Sequence, residues 1–259
     1  MPWSIISMKI KVIQSGSKGN CTVVITDNTK LLIDLGISFK QLVEELQKIN
    51  ININEITGLL ITHNHKDHIK GIDTLLKKTN IKLFIPKELF PSLKEVIKQL
   101  TEDKCIFIEE KDRIENVEVE LIHTSHDAPY SVGYILKNDN KELCYVTDTG
   151  YINRKFLNNM KNKDIYIIEA NHDEKMLMDG PYPRFLKERV ISDRGHLSNK
   201  TTAIYLNKII GDKTKYIVLA HLSEKNNTPD LALNTVKETV KNKEIIIASQ
   251  LTGTNIIEV

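Results

Sequence analysis

Cysteine is scarce in this chain of 259 residues: Cys21, Cys105 and Cys144 are all there are, and no two form a CxxC pair. An odd set of thiols excludes a complete disulfide frame and fits a reducing compartment, so a cytoplasmic protein with buried free thiols is expected. Nowhere does an apolar run approach the ~18 residues of a membrane helix, so no membrane is expected among its partners. Excess charge of one sign is missing too. Lys and Arg number 36 against 34 Asp and Glu, a formal net charge of +2, too balanced to force a nucleic-acid or membrane reading through bulk electrostatics. Pro/Gly/Ser-rich linkers and low-complexity stretches are absent, and 41% hydrophobic with 27% charged residues places the sequence among globular chains able to bury a full core.

Arginine is rare, and its placement is uneven: of five residues, four lie between Arg154 and Arg194. Guanidinium groups suit bidentate phosphate contacts, although lysine-for-arginine bias elsewhere can simply reflect genome composition. Residues 1–7 have neither a basic n-region nor an apolar h-region and precede a second methionine, Met8. They read as an N-terminal extension, an upstream start or an expression remnant, with one domain spanning residues 8–259.

From Met8 onward, apolar alternation and turn residues predict strands over 9–14, 21–26 and 30–35, an antiparallel start. A helix follows near 38–50, with Ser38 as N-cap and Phe39, Leu42, Val43 and Leu46 at helical spacing. A strand over 59–62 runs into THNHKDH, and helical periodicity resumes over 69–78. Further along, the pattern predicts strand 82–85, helix 87–100 and strand 105–108, then two or three strands within 117–146. Strands near 164–168, 215–219 and 244–247 alternate with helices near 200–210 and 230–240, and a last strand covers 254–258. Two β-rich segments, each followed by alternating helix and strand, predict an α/β (α+β) architecture with two mixed sheets face to face and helices outside.

The strongest chemical signal is Thr62-His63-Asn64-His65-Lys66-Asp67-His68, which sets four metal-ligand side chains in six residues. On one regular helix, side chains at i and i+2 point about 200° apart, so His63 and His65 could not share an ion; on a loop leaving a strand they can. Local geometry favours two sites, His63 with His65 and Asp67 with His68, opening at the strand's C-terminal end where α/β sites form.

THNHKDH resembles the signature of the metallo-β-lactamase fold superfamily, and the resemblance runs from Met8 to Val259. It implies the four-layer αββα sandwich. It also implies that Asp34 after LLID orients the ligand loop, that His126 in HTSHDA completes the first site with His63 and His65, and that His221 in LAHLS completes the second with Asp67 and His68. Asp148 in TDTG is then the carboxylate bridging both. Two divalent ions, the two carboxylates and a bridging hydroxide as nucleophile would leave the centre net positive, which suits an anionic substrate. Imidazole and carboxylate ligands suit Zn²⁺, Mn²⁺ or Fe²⁺ and do not choose among them. His123, three residues before His126 and still on its strand, reads as structural.

Within the superfamily, GSKGN at 16–20, IEANHD at 168–173, GHLSN at 195–199 and HLSEKNNTP at 221–229 resemble the YycJ/WalJ branch, associated with metal-dependent 5′-exonuclease activity on double-stranded DNA. EAN followed by GHLS also resembles the glutamate and histidine pair of tRNA 3′-processing nucleases. Cleavage of a phosphodiester needs a proton for the leaving alkoxide and cations for the nonbridging oxygens. His196 is the candidate acid, with Glu169 to orient it and raise its basicity, and Ser198 to cap the helix that follows. Asp67 joins them as a catalytic residue through its metal site.

For substrate phosphate the candidates are Ser17 and Asn20 of the glycine turn, whose amides could equally serve a tight hairpin, and His172, which could equally be turn chemistry. Arg184, Arg189 and Arg194, with Lys187, precede the GHLSN loop and are candidates for backbone phosphate contacts. The partner expected is DNA, with RNA the less favoured choice. The chain lacks the long arm of tRNA-processing enzymes, the inserted nuclease domain of the ribonuclease J type and the terminal helical domain of glyoxalase II. A small-molecule hydrolase acting on a cyclic phosphodiester or thioester is the alternative, favoured by a bulk charge of only +2.

Overall fold

Residues with apolar side chains on both faces dominate the strands, and the reason is that each sheet is covered twice. The computed structural model describes residues 8–101 and 103–259; the extension expected over 1–7 lies outside the described residues. The first sheet contains β1 (Lys9–Gln14), β2 (Cys21–Ile25), β3 (Lys30–Ile33), β4 (Gly58–Leu60), β5 (Lys82–Pro86) and β6 (Cys105–Ile108). The second contains β7 (Lys111–Ile114), β8 (Val117–His123), β9 (Val132–Asn138), β10 (Lys141–Val146), β11 (Ile165–Glu169), β12 (Tyr216–Ala220) and β13 (Glu244–Ile247). The terminal β14 (Ile257–Glu258) returns to pair with β1, giving the orders β14-β1-β2-β3-β4-β5-β6 and β13-β12-β11-β10-β9-β8-β7.

Strands β14-β1-β2-β3 of the first sheet and β7-β8-β9-β10 of the second pair antiparallel and the remaining strands pair parallel, the switch falling at β3 and at β10. Strand alternation sends Leu31 and Ile33 inward, where they meet Tyr134, Leu136, Tyr145 and Val218 of the opposing sheet. Leu32 points outward to Leu42 and Leu46 of α1 (Phe39–Gln47) and Leu75 of α3 (Ile72–Lys78). On the other side Tyr166, Ile168 and Leu219 meet Leu206 of α8 (Asn199–Ile209) and Val236 of α9 (Pro229–Thr239). The result is the four-layer αββα sandwich of mixed sheets.

Several boundaries depart from the sequence pattern. The region expected as loop followed by helix 69–78 is instead α2 (Lys66–Ile69) and α3, so Asp67 and His68 sit on a short helix with His65 at its N-cap. Gly71 separates the two because its amide donates to Leu35 O at 2.9 Å, and a Cβ there would lie 2.3 Å from Ile37 O. The helix expected over 87–100 is a 3-10 turn, Phe90–Ser92, followed by α4 (Glu95–Leu100); Pro91 cannot donate an amide to a continuous helix. Strand β7 and helices α5 (Arg154–Met160), α6 (Glu174–Asp179) and α7 (Arg184–Ile191) were not legible in the pattern. They are short, and α7 buries no residue at all. Among the described residues no helix is long and apolar enough to cross a membrane.

Candidate metal centre

Parallel neighbours end at the same edge of a sheet, and here those ends carry the functional side chains. Asp34 directly follows β3, and Thr62 and His63 follow β4. Asp148 lies just beyond β10, Glu169 is the last residue of β11, and His221 directly follows β12. Asp34, Asp148 and His221 all adopt left-handed backbone conformations, with φ of 60°, 53° and 54°. For non-glycine residues this is uncommon and costs on the order of 1 kcal/mol or more each, a strain that aims the side chains off the strand axis.

The expected metal ligands converge. Ligand atoms of His63, His65 and His126 lie within 4.8 Å of one another, as do those of Asp67, His68 and His221, and those of His63, His68 and Asp148. His221 Nε2 approaches Asp148 Oδ1 at 3.4 Å, and His68 Nε2 approaches Asp148 Oδ2 at 3.4 Å, so Asp148 stands between the two groups. His63 Nε2, Asp148 Oδ2 and His221 Nε2 are buried with no hydrogen-bond partner. Three orphaned polar atoms around one hollow fit a cation-binding cage, since buried polar groups otherwise find partners.

Far nitrogens of the imidazoles are held from behind. His68 Nδ1 donates to Asp34 Oδ2 at 2.8 Å, and the same carboxylate accepts from Thr62 N at 2.8 Å and Thr62 Oγ1 at 2.9 Å. His126 Nδ1 donates to Gly195 O at 3.2 Å, His221 Nδ1 to Glu169 Oε1 at 3.1 Å, and His65 Nε2 to Asp127 O at 2.8 Å. Such bonds fix the tautomer and leave Nε2 of His68, His126 and His221, and Nδ1 of His65, facing the cage.

Charge follows the same logic. Buried carboxylates need compensating positive charge, yet the ion-pair partners of Asp34, Asp67, Asp148 and Glu169 among the described residues are all histidines. Burial opposes the charged form of His68, but Asp34 and Asp148 push it up to about 9. His221 likewise rises well above its ordinary range against burial, through Asp148, Asp67 and Glu169. Burial and the facing imidazoles hold His63 well below its ordinary range, and burial lowers His126. Although burial would raise them, Asp67, Asp148 and Glu169 are lowered by the surrounding imidazoles. Cations in the cage would take over that compensation.

His196 stands beside the cage, its ring 5.1 Å from His126 and 5.3 Å from His221 by centroid. Its Nδ1 donates to Glu169 Oε1 at 2.6 Å, and Glu169 Oε2 accepts from Thr149 N and Leu197 N. Ligand atoms of Asp148, Glu169, His196 and His221 also lie within 4.8 Å of one another. Within that group the Glu169 carboxylate is filled by hydrogen bonds from His196, His221 and two backbone amides, so it stands behind the cage. His196 and His172 line a cavity of about 320 Å³ together with Ile191. His172 is itself buried, its Nδ1 has no partner, and burial lowers it to about 4.

The remaining candidates divide. Arg189 Nε reaches Asp127 Oδ2 at 3.0 Å and Arg194 Nε reaches His126 O at 3.3 Å, so both border the cage. Arg184 points away into solvent and pairs with Glu188 at 2.7 Å, one turn along the same helix, while Lys187 Nζ donates to Met178 O. Ser17 is exposed at the tip of the glycine turn. Asn20, expected to face phosphate, instead spends its amide internally: Oδ1 accepts from Gly16 N at 2.8 Å, and Nδ2 lies 3.0 Å from His68 Nε2 and 3.3 Å from Asp67 O. His123 lies apart from the cage, paired with Glu110 and stacked on Phe156. Sequence reasoning missed Thr62, Asp127 and Ser15, whose Oγ accepts from His221 N at 2.8 Å. Thr62 and Asp127 adjoin ligand histidines in sequence, a signal that was available; Ser15 is 206 positions away and gave none.

A model of the β-lactamase superfamily domain matches residues 29–221. Over 240 residues the chain is 36% identical to exodeoxyribonuclease YycJ of Bacillus anthracis, covering 92% of this chain and 91% of that protein. It is also 36% identical to exodeoxyribonuclease WalJ of Streptococcus pneumoniae over 235 residues, 89% of this chain and 87% of that one. Among solved structures, the metallo-β-lactamase fold protein YhfI of Bacillus subtilis superposes with a TM-score of 0.73 at 17% identity, covering 98% of this chain and 100% of the other.

Proposed function

The chain belongs to the β-lactamase superfamily, and from that premise we propose that it is a phosphodiester hydrolase requiring two divalent cations, acting as a 5′-exonuclease on double-stranded DNA. Support for a nuclease comes from the 36% identity to exodeoxyribonucleases across nearly the whole length. The observation that carries the reaction type is Glu169 Oε1, which accepts from both His196 and His221 and so ties a proton donor to the cage.

In this reading His63, His65 and His126 hold one ion, Asp67, His68 and His221 the other, and Asp148 both, with manganese or zinc the candidate metals and iron a third. When bound, the ions supply an activated water and neutralise developing charge on the phosphate. Asp34 keeps the His68 ring in place. With Nδ1–H held by Glu169, His196 presents Nε2 to the leaving oxygen and gives up a proton there as the P–O bond breaks. Arg189 and Arg194 border the cage and would meet nonbridging phosphate oxygens. Residues 8–259 act as one domain, a reading supported by β14 returning to β1, and free Cys21 and Cys144, both buried, suit the cytoplasm.

A small-molecule hydrolase acting on a cyclic phosphodiester or thioester is the second reading. It is favoured by the net charge of only +2 and by the pairing of Arg184 and Arg189 with carboxylates. Incubating chelated protein with end-labelled single- and double-stranded DNA and RNA, with Mn²⁺ or Zn²⁺ restored, tests the two. Stepwise loss of 5′ label from duplex DNA is expected; hydrolysis of small phosphodiesters or thioesters with all four polymers untouched would overturn the nuclease reading.

A further inference from the structure

Helix α7 is anomalous in that none of its residues is fully buried, and it carries an exposed phenyl ring. Phe185 is 67% exposed and Ile191 53%. The helix is nevertheless pinned. Arg189 Nε holds Asp127 Oδ2 beside His126, His196 N donates to Val190 O at 2.9 Å, and Arg194 Nε reaches His126 O. Phe185 precedes Arg189 by four residues, so the two share a helix face and the ring stands one turn beyond the arginine at the rim of the cage. Arg184 and Lys187 flank it in sequence. A solvent-facing aromatic ring on a helix that carries three cationic residues against one glutamate, continuous with a proposed phosphodiester site, matches the chemistry of nucleic acid, whose bases stack while its phosphates attract net positive charge.

We propose that Phe185 is a strand-parting wedge that stacks on the terminal base pair of a DNA duplex, so that one strand separates and descends to the cage. The proposal rests on the exonuclease reading above. Its physical need is plain from burial: His63, His68 and Asp148 lie below the surface. A phosphodiester within an intact duplex has the second strand alongside, so the scissile strand has to leave it first, as bases do for enzymes that act on them. Unstacking the end pair loses one stacking step, and an aromatic side chain replaces it without regard to sequence.

The test compares degradation rates of a blunt duplex and of the same single strand, with Mn²⁺ present, for the wild type and for Phe185→Ala, Phe185→Leu and Phe185→Trp. The ratio of duplex to single-strand rate is expected to fall about tenfold in the Ala and Leu variants and to be kept in the Trp variant. An unchanged ratio in Phe185→Ala, with the wild type active on both substrates, overturns the wedge and leaves the nuclease reading standing. A metal-loaded wild type that degrades neither strand form overturns both. Light scattering runs alongside: a dimer that Phe185→Ala converts to monomer would assign the ring to a second copy of the chain and overturn the wedge.

Discussion

Replacing His196 by alanine separates an acid catalyst from a ligand and from a mere loop residue. The side chain is 20% exposed and its one strong bond is Nδ1 to Glu169 Oε1 at 2.6 Å. Removing it does not strand the carboxylate, because Oε1 still accepts from His221 Nδ1 and Oε2 from two backbone amides. The loss to stability is therefore that of one charge-assisted hydrogen bond, about 1.5–3 kcal/mol, or roughly 3–12 °C in Tm for a chain of this size. Both ions stay bound, since none of the seven proposed ligands is touched.

Activity should behave quite differently. An alkoxide leaving group needs a proton that an aryl oxide of low pKa does not, so His196→Ala should slow DNA cleavage by roughly 10²–10⁴-fold while hydrolysis of bis-p-nitrophenyl phosphate falls by less than about tenfold. The assay pairs initial rates on both substrates with elemental analysis of the same preparation. Comparable losses on both substrates with full metal content would make His196 a phosphate-binding or loop residue. Loss of one ion would instead make it a ligand with Asp148, Glu169 and His221, a grouping the distances also allow.

Three further outcomes are expected. Asp148→Ala should lower bound metal and abolish hydrolysis, whereas His123→Ala, which disturbs contacts to Glu110, Tyr130 and Phe156 away from the cage, should leave both nearly intact by elemental analysis and turnover. Changing Arg184, Arg189 and Arg194 together to Gln should weaken duplex binding and flatten its salt dependence, with Arg189 and Arg194 carrying most of the effect; unchanged binding isotherms across a salt series would show the arginines to be surface decoration. In chelated protein, His68 is raised to about 9, so the stability it contributes is present below the unfolded value near 6.5 and is lost as pH rises through about 9. Melting temperatures should therefore fall over that window, and Asp34→Asn should flatten the slope; a flat profile in the unsubstituted protein would contradict the Asp34–His68 pairing.

The ligand loop was legible because four ligand side chains fall within six residues, and the strand before it is a plain apolar run whose end is a predictable place for a site. Its conformation was less so. Where the helix through Asp67 and His68 breaks is set by Gly71 packing against Leu35 and Ile37, a tertiary contact. Asn20 shows the same limit: its amide reads as a free phosphate contact until Asp67 and His68 close over it. Helix α7 was illegible for the opposite reason. Helices are found in sequence by the apolar stripe they bury, and no residue of α7 is fully buried.

The arrangement of the cage explains why both halves of the chain are needed. His63, His65, Asp67 and His68 come from the edge of the first sheet; His126, Asp148 and His221 come from the second. Either set alone leaves at most two ligands for an ion. The halves meet at Asp148, set between His68 and His221, and again where His221 N donates to Ser15 Oγ across the sheets. Three of the residues at this seam hold left-handed backbone conformations, and among the described residues four carboxylates have imidazoles as their ion-pair partners and no lysine or arginine. That strain and that unbalanced charge make little sense as devices for stability, because an apolar seam would pack at lower cost. They make sense if two cations bind there, since each ion then draws ligands from both sheets and its binding energy holds the sandwich closed at the edge where the substrate enters.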